Sequence, residues 1–508
     1  MESKNIPMVD KDLLSIQEAR ALVRAARVAM AEFSQLDQNR VDAVVKAVAE
    51  AAAARAEELA CLAVEETGFG KPQDKKIKNI LASEKVWAAI KDMKTIGVLS
   101  EDPGKKLVEI AVPMGVIAGI IPSTNPTSTV IYKTLISLKS GNAIVFTPHP
   151  SARKCIARTV EIIQETLRAC HVSPDMVSFM SVPTMQGSAE LMRVVDLILA
   201  TGGPGMVKAA YSSGTPALGV GAGNVPAYIE RTADIDDAVA KIFASKTFDN
   251  GTICASEQAI ITDACIADRV KSAMLANGAY FLEGEKLAKV KAVMERTGGS
   301  MNPEIVGRDA AYIAQKAGID IPAGTKILVG AEPGVGPKFP FSKEKLTSLL
   351  GYYVVSDWRE ACELCIKLLE NGGIGHSLAI HSRSEEVIRE FGLKKPVSRM
   401  LVNTPSTHGA VGLSTSLFPS LTLGCGTVGG SATSDNVTPL NLLNIRRVVY
   451  DLGGTNYAAA PSYNAPQYAP APANYAASSS VMGGAGDPAG VDVSAITAII
   501  IEQLKKMV

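Results

Sequence analysis

The residue best able to do covalent chemistry is Cys254, in segment 248–258 (FDNGTICASEQ). A glycine and small polar residues precede it and strand-forming residues follow. That pattern sets a thiol on a turn beside a cleft, where a thiolate nucleophile would be accessible. A cysteine with small neighbours is more often structural, and the local sequence leaves both readings open. Cys362 and Cys365 form a C-x-x-C inside the helical pattern of 358–369, with no second pair at zinc-site spacing, so they read as core-facing thiols. His149, His171, His376, His381 and His408 show no H-x-x-x-H or similar spacing, so no metal is expected. Segment 197–207 (LILATGGPGMV) is a strand, a glycine-rich turn and the start of a helix, whose bare amides could receive a phosphate. It lacks the full G-x-G-x-x-G fingerprint, and no acidic residue is placed convincingly after it. A second glycine-rich stretch, 219–226 (GVGAGNVP), has no ionisable side chain.

These residues need a scaffold. Helical periodicity runs over 15–33, 37–66 and 75–93. Beyond 107, short apolar runs alternate with helical stretches. Strands are expected at 116–121, 143–147, 176–182, 197–201, 227–230, 258–262, 325–329, 352–355, 377–381 and 399–403, with helices at 132–138 and 151–170. This alternation predicts α/β domains with mainly parallel sheets.

The 508 residues carry 51 Lys plus Arg against 51 Asp plus Glu, and this neutrality argues against nucleic acid as a partner. Eight irregularly spaced cysteines suggest a reducing cytoplasm. The first ten residues hold no apolar signal core, and the longest apolar run, 111–122, contains Pro113 and is too short for a bilayer. Segment 453–490 is Ala, Pro, Tyr, Ser and Gly with Asp487 as its sole charge, which reads as a flexible linker. Segment 491–508 (VDVSAITAIIIEQLKKMV) aligns Val493, Ile496, Ile500, Leu504 and Met507 on one helical stripe that needs a partner. Its two lysines offer little attraction for a membrane.

Several motifs together carry a family resemblance: 121–126 (IPSTNP), 142–151 (NAIVFTPHPS), 200–203 (ATGG), the Cys254 segment and 344–349 (EKLTSL). In this order and spacing they resemble the aldehyde dehydrogenase superfamily. Segments 403–412 (NTPSTHGAVG) and 419–430 (PSLTLGCGTVGG) are similar to its CoA-acylating branch, which includes enzymes of bacterial microcompartments. The resemblance covers about 15–451. It implies that Cys254 is the nucleophile, and that the Asn125 amide and the Cys254 backbone N–H form an oxyanion hole. It further implies that Glu344 grips the nicotinamide ribose. Thr147, Pro148 and Gly202 would flank the adenosine and pyrophosphate, with Pro122, His149, Thr201 and Gly203 in the same cofactor-binding set.

Hydrolytic relatives carry a glutamate in an E-L-G-G motif where this chain has Gly219–Gly221, so the resemblance implies thiolysis by CoA rather than attack by water. Glu257, His376 and Cys425 are possible accessory residues, with buried structural roles the commoner alternative. Pro150 replaces a frequent glutamate, so nothing obvious repels a 2′-phosphate; NAD is the expected cofactor on family likeness alone, with NADP open. The implied architecture is a Rossmann-type cofactor domain (1–104 and 114–225), a catalytic domain (226–427) and a small β oligomerisation element (105–113 and 437–451). The expected function is oxidation of acetaldehyde or propionaldehyde to acyl-CoA by a homo-dimer or tetramer. The 491–508 helix resembles an encapsulation peptide that binds shell or cargo proteins, which would place the enzyme inside a cytoplasmic microcompartment. The alternatives are a hydrolytic aldehyde dehydrogenase and a non-catalytic assembly protein.

Overall fold

The computed structural model describes residues 10–453 except 297–298; the segments beyond 453 expected to form a linker and, at 491–508, a helix lie outside the described residues. Its framework is three sheets. The first has five parallel strands in the order Val177–Phe179, Ala143–Thr147, Val116–Ile120, Leu197–Thr201, Ala217–Val220. The chain starts in the middle, winds outward one way, then returns to wind the other way. That reversal leaves a crevice at the carboxyl ends of Val116–Ile120 and Leu197–Thr201, the usual binding place in such sheets. Both Val116–Ile120 and Ala143–Thr147 are buried at every residue, because helices cover both faces of a parallel sheet.

The second sheet has seven parallel strands in the order Ala279–Leu282, Ile327–Ala331, Leu349–Val355, Glu257–Asp263, Val225–Ile229, Gly375–His381, Val397–Val402. The third is antiparallel: Val98–Asp102, Leu107–Pro113, Leu443–Val449. Its first strand was expected to belong to the 1–104 segment. The run VLSED has only two apolar residues, so the ladder with Leu107–Pro113, rather than its own pattern, makes it a strand.

Other differences have similarly local causes. The helix expected over 37–66 divides into Gln38–Ala54 and Ala56–Thr67, because Arg55 leaves helical backbone at φ −106° and ψ 10°. Alanines on both sides of that break give no directional signal. The third helix begins at Pro72, contains a π turn at Leu81–Lys85 and ends at Ile90. The helix expected at 132–138 runs from Pro126 to Lys139 and is buried throughout, polar first turn included. Its Lys133 donates to the Ile120 and Leu199 carbonyls at 2.8 and 2.7 Å, tying together the two strands that flank the crevice. Strand 176–182 shortens to Val177–Phe179, and Ala217–Val220 and Ala279–Leu282 are strands that periodicity did not mark. No described helix is long and apolar enough to cross a membrane.

Candidate active site

A cavity of ≈ 380 Å³ opens at the crevice of the five-stranded sheet. From the sheet side it is lined by Pro122, Asn125, Thr147, Pro148 and His149, and by Thr201, Gly202 and Gly203 after the returning strand. Cys254 and Glu344 line it from the seven-stranded body. Cys254 lies three residues before strand Glu257–Asp263, at the amino end of that parallel sheet. The carboxyl ends of one sheet therefore face the amino end of the other across the thiol.

Cys254 Sγ lies 3.1 Å from His376 Nε2, and Ser377 Oγ lies 3.0 Å from Nδ1 on the opposite side of the ring. His376 is fully buried at the start of strand Gly375–His381. Arg399, on the next strand, donates to the His376 carbonyl at 3.1 Å and to the Gly424 carbonyl at 2.5 Å. Burial, and then the Arg399 charge, push the His376 pKa down to about 3, so the imidazole is neutral at physiological pH. Burial also pushes the Cys254 thiol up to about 12, reinforced by the Glu344 carboxylate and Cys425 and opposed by Arg399. The resting pair is therefore a neutral thiol beside a neutral imidazole, with the proton held on sulfur until attack makes it acidic.

Asn125 precedes the buried helix Pro126–Lys139, and its proline at the first helical position needs no N–H partner. Its amide oxygen accepts from Lys78 Nζ at 2.6 Å, while its Nδ2 donates to Thr252 O and Thr124 Oγ1, each at 3.2 Å. The –NH₂ end thus faces the Cys254 turn.

The profile described as "Aldehyde dehydrogenase family" matches residues 7–317. The chain belongs to the aldehyde dehydrogenase family. It is 44% identical over 441 residues to the bifunctional aldehyde-alcohol dehydrogenase of Escherichia coli K12, covering 85% of this chain and 49% of that protein. It therefore spans about half the length of that curated relative. The structure of an acetylating aldehyde dehydrogenase from Geobacillus thermoglucosidasius superposes with a TM-score of 0.87 at 48% identity, covering 88% of this chain and 99% of that one. A propionaldehyde dehydrogenase from the fucose-utilisation microcompartment of Clostridium phytofermentans gives 0.77 at 28% identity, with 85% and 97% covered.

For a dinucleotide, the cofactor type of the aldehyde dehydrogenase family, the cradle fits. Helix Pro204–Tyr211 has Gly203 as its N-cap with no side-chain capping bond. A Cβ at Gly203 or Gly221 would meet nothing within 4 Å, so both leave open space where they line the cavity. Pro204 has no N–H and the Met206 and Val207 amides donate to the Gly203 carbonyl at 3.0 and 3.2 Å, so the Gly203 and Gly205 amides are the ones that suit a pyrophosphate. Gly223 N–H donates to Glu344 Oε1 at 2.8 Å and orients that carboxylate, whose pKa burial pushes up to about 7. Glu344 is the sole acidic side chain among the described lining residues, and no lysine or arginine lines the cavity.

The other two accessory candidates lie off the cavity wall. Glu257 does not line the cavity, and its Oε1 accepts from Ser406 N at 2.9 Å, in keeping with the buried structural alternative. Glu257–Asp263 is buried at every residue, and burial pushes the Glu257 pKa up to about 7. Cys425 is also buried and absent from the cavity wall, and it belongs to the apolar cluster against which Cys254 packs. The sequence reading missed Lys78, Asp249 and Arg399. A lysine in a helical stretch reads as solvent-facing, and only their burial sets these residues apart.

His376→Ala is expected to lower kcat/KM by about 10²-fold through loss of the proton acceptor. Because protonation of His376 is displaced to about 3, the wild-type profile from about pH 5 to 8 should contain no His376 limb near 6.5. A limb near 6.5 that disappears in the His376→Ala profile would contradict this assignment.

Proposed function

We propose that the chain oxidises short, uncharged aldehydes to acyl-CoA, with NAD or NADP as hydride acceptor and coenzyme A as co-substrate. The carrying observation is the convergence of the Cys254 thiol, the Asn125 amide and neutral His376 at one end of a nucleotide-sized crevice. Cys254 Sγ bonds to the aldehyde carbon as its proton passes to His376, and the carbonyl oxygen gains charge within reach of the Asn125 amide. A nicotinamide bound here would supply the two-electron acceptor for the hydride of the former aldehyde carbon, which would leave the acyl group on Cys254 as a thioester while His376 passes its proton to solvent. The CoA thiol attacks that carbonyl, the C–S bond to Cys254 breaks, and the protein thiol is regenerated as acyl-CoA leaves. Glu344, Thr147, Gly202 and Gly203 hold the nucleotide in this reading.

Thiolysis is favoured over hydrolysis by Gly219 itself. A Cβ there would lie 2.8 Å from the Tyr211 ring and 2.9 Å from Val207, so apolar side chains already fill the place where a base would be rooted. The lack of a cationic lining residue favours acetaldehyde and propionaldehyde over aldehydes that carry an anionic group. Reduced-cofactor formation across an aldehyde panel, with and without CoA, tests the assignment.

Assembly of copies into a dimer or tetramer is supported by strand Leu443–Val449, an edge strand that leaves Val448, Val449 and Tyr450 exposed. The amphipathic pattern of 491–508 and the microcompartment relative support delivery to a shell or cargo protein. Removal of 491–508 is expected to leave kcat within about 2-fold while abolishing co-purification with shell material. Retained co-purification would remove the targeting role.

A further inference from the structure

Helix Pro72–Ile80 presents Lys75 and Lys78 three residues apart on one face, and both ammonium groups are buried against a single carboxylate, Asp249. Lys75 Nζ donates to Asp249 Oδ2 at 2.9 Å and to the Thr124 carbonyl at 2.8 Å. Lys78 Nζ donates to the same Oδ2, to Thr252 Oγ1 at 3.1 Å and to Asn125 Oδ1 at 2.6 Å. Asp249 is well supplied without Lys78, for Lys75, the Lys71 backbone N–H at 2.7 Å and Thr252 Oγ1 at 2.7 Å all donate to it. Ion pairing therefore does not account for a second buried cation. A buried charge is costly unless its contacts repay the lost hydration. Beyond Asp249, Lys78 contacts Thr252 Oγ1, the Phe248 ring at 5.6 Å and Asn125 Oδ1, and of these only the last is a group of the proposed oxyanion site.

The chemistry of that contact has one sense. An ammonium has only donors, so the amide oxygen of Asn125 must face it and the –NH₂ must face away, toward the Cys254 turn. A full charge on the amide oxygen also polarises the amide, which strengthens its N–H as a donor.

We infer that Lys78 is a positioning residue for the oxyanion site: it fixes the orientation of the Asn125 amide and sharpens its N–H toward the oxygen that becomes negative when Cys254 attacks. This rests on the proposed roles of Asn125 and Cys254 and extends the oxyanion site to a side chain that never touches substrate. Asp249 in turn holds Lys78. Asp249 sits at φ 49°, and a Cβ on the facing Gly70 would lie 1.8 Å from its Oδ1, so the glycine permits this approach.

A double-mutant cycle on the full chain tests the proposal, with kcat and KM for acetaldehyde measured at saturating cofactor and CoA. Asn125→Ala should lower kcat by about 10²-fold, and Lys78→Met by about 10-fold or more with KM within about 2-fold. In the Asn125→Ala background, Lys78→Met should cost no more than about 2-fold, because a residue acting only through Asn125 has nothing left to act on. Lys78→Gln keeps a neutral donor and should fall between wild type and Lys78→Met. It serves the same cycle should the methionine variant fail to fold. Equal losses in both backgrounds, or a loss confined to KM, would overturn the role of Lys78. Full turnover by Asn125→Ala would instead overturn the oxyanion reading beneath it, and the two failures are distinct.

Discussion

Cys254→Ala is expected to lose turnover by about 10⁴-fold or more, equivalent to a barrier rise of about 5–6 kcal/mol. The loss is this large because the thiol is the reacting atom. Without it no covalent intermediate forms, and neither Asn125 nor His376 has a developing charge or proton to act upon. No other cysteine is placed to substitute. Cys61 and Cys265 are exposed and Cys170 is half-buried, all outside the cavity, while Cys155, Cys362, Cys365 and Cys425 are buried and do not line it. The substitution removes one half-buried side chain from the cavity wall, so the fold and nucleotide binding should survive. Absorbance of the reduced cofactor gives the rate, and cofactor fluorescence reports binding in the same protein. Turnover above a few per cent of wild type, with binding intact, would mean that the chemistry runs through another group.

Omitting CoA is expected to give a burst of reduced cofactor close to one equivalent per active site, followed by a rate at least about 10²-fold below the CoA-supported one. The burst arises because oxidation of the Cys254 adduct does not need CoA, whereas release of the acyl group does. Hydrolytic relatives use a carboxylate as base for the attacking water, and the only carboxylate on the described cavity wall is Glu344, whose Oε1 is held by the Gly223 N–H. A CoA thiol is partly ionised near neutrality and strongly nucleophilic, so it attacks without that help. Rapid-quench measurement of the burst, with mass detection of the acyl group on Cys254, checks both halves. A full steady rate without CoA would establish hydrolysis instead. Gly219→Glu should not convert the enzyme to a hydrolase, since its Cβ would meet Tyr211 and Val207, and a lower melting temperature is the expected outcome.

Much of the site was legible along the chain because its parts sit in short motifs at strand ends. Asn125, Thr147, Gly202 and Cys254 each follow or precede an apolar run that periodicity identifies, and a parallel sheet brings such ends together as a matter of topology. Helix Pro126–Lys139 was harder to read. Its first turn is polar yet wholly buried, so hydrophobic spacing understated it by six residues at the start. Strand Val98–Asp102 was illegible for the opposite reason, having little apolar signal and a partner that supplies its order.

The sequence by itself determined the covalent chemistry available, the α/β alternation, the absence of an ionisable side chain over 219–226 and the change of composition after residue 453. Those are properties of residue type and near-neighbour spacing. Tertiary structure decided which histidine serves the thiol, that Glu257 and Cys425 do not line the cavity, and that Lys75, Lys78 and Arg399 are buried rather than solvated. His376 reaches Cys254 across 122 positions and Lys78 reaches Asn125 across 47. The physical reason is that proton affinity and donor strength depend on burial and on the field of distant residues. Only the packed fold sets those.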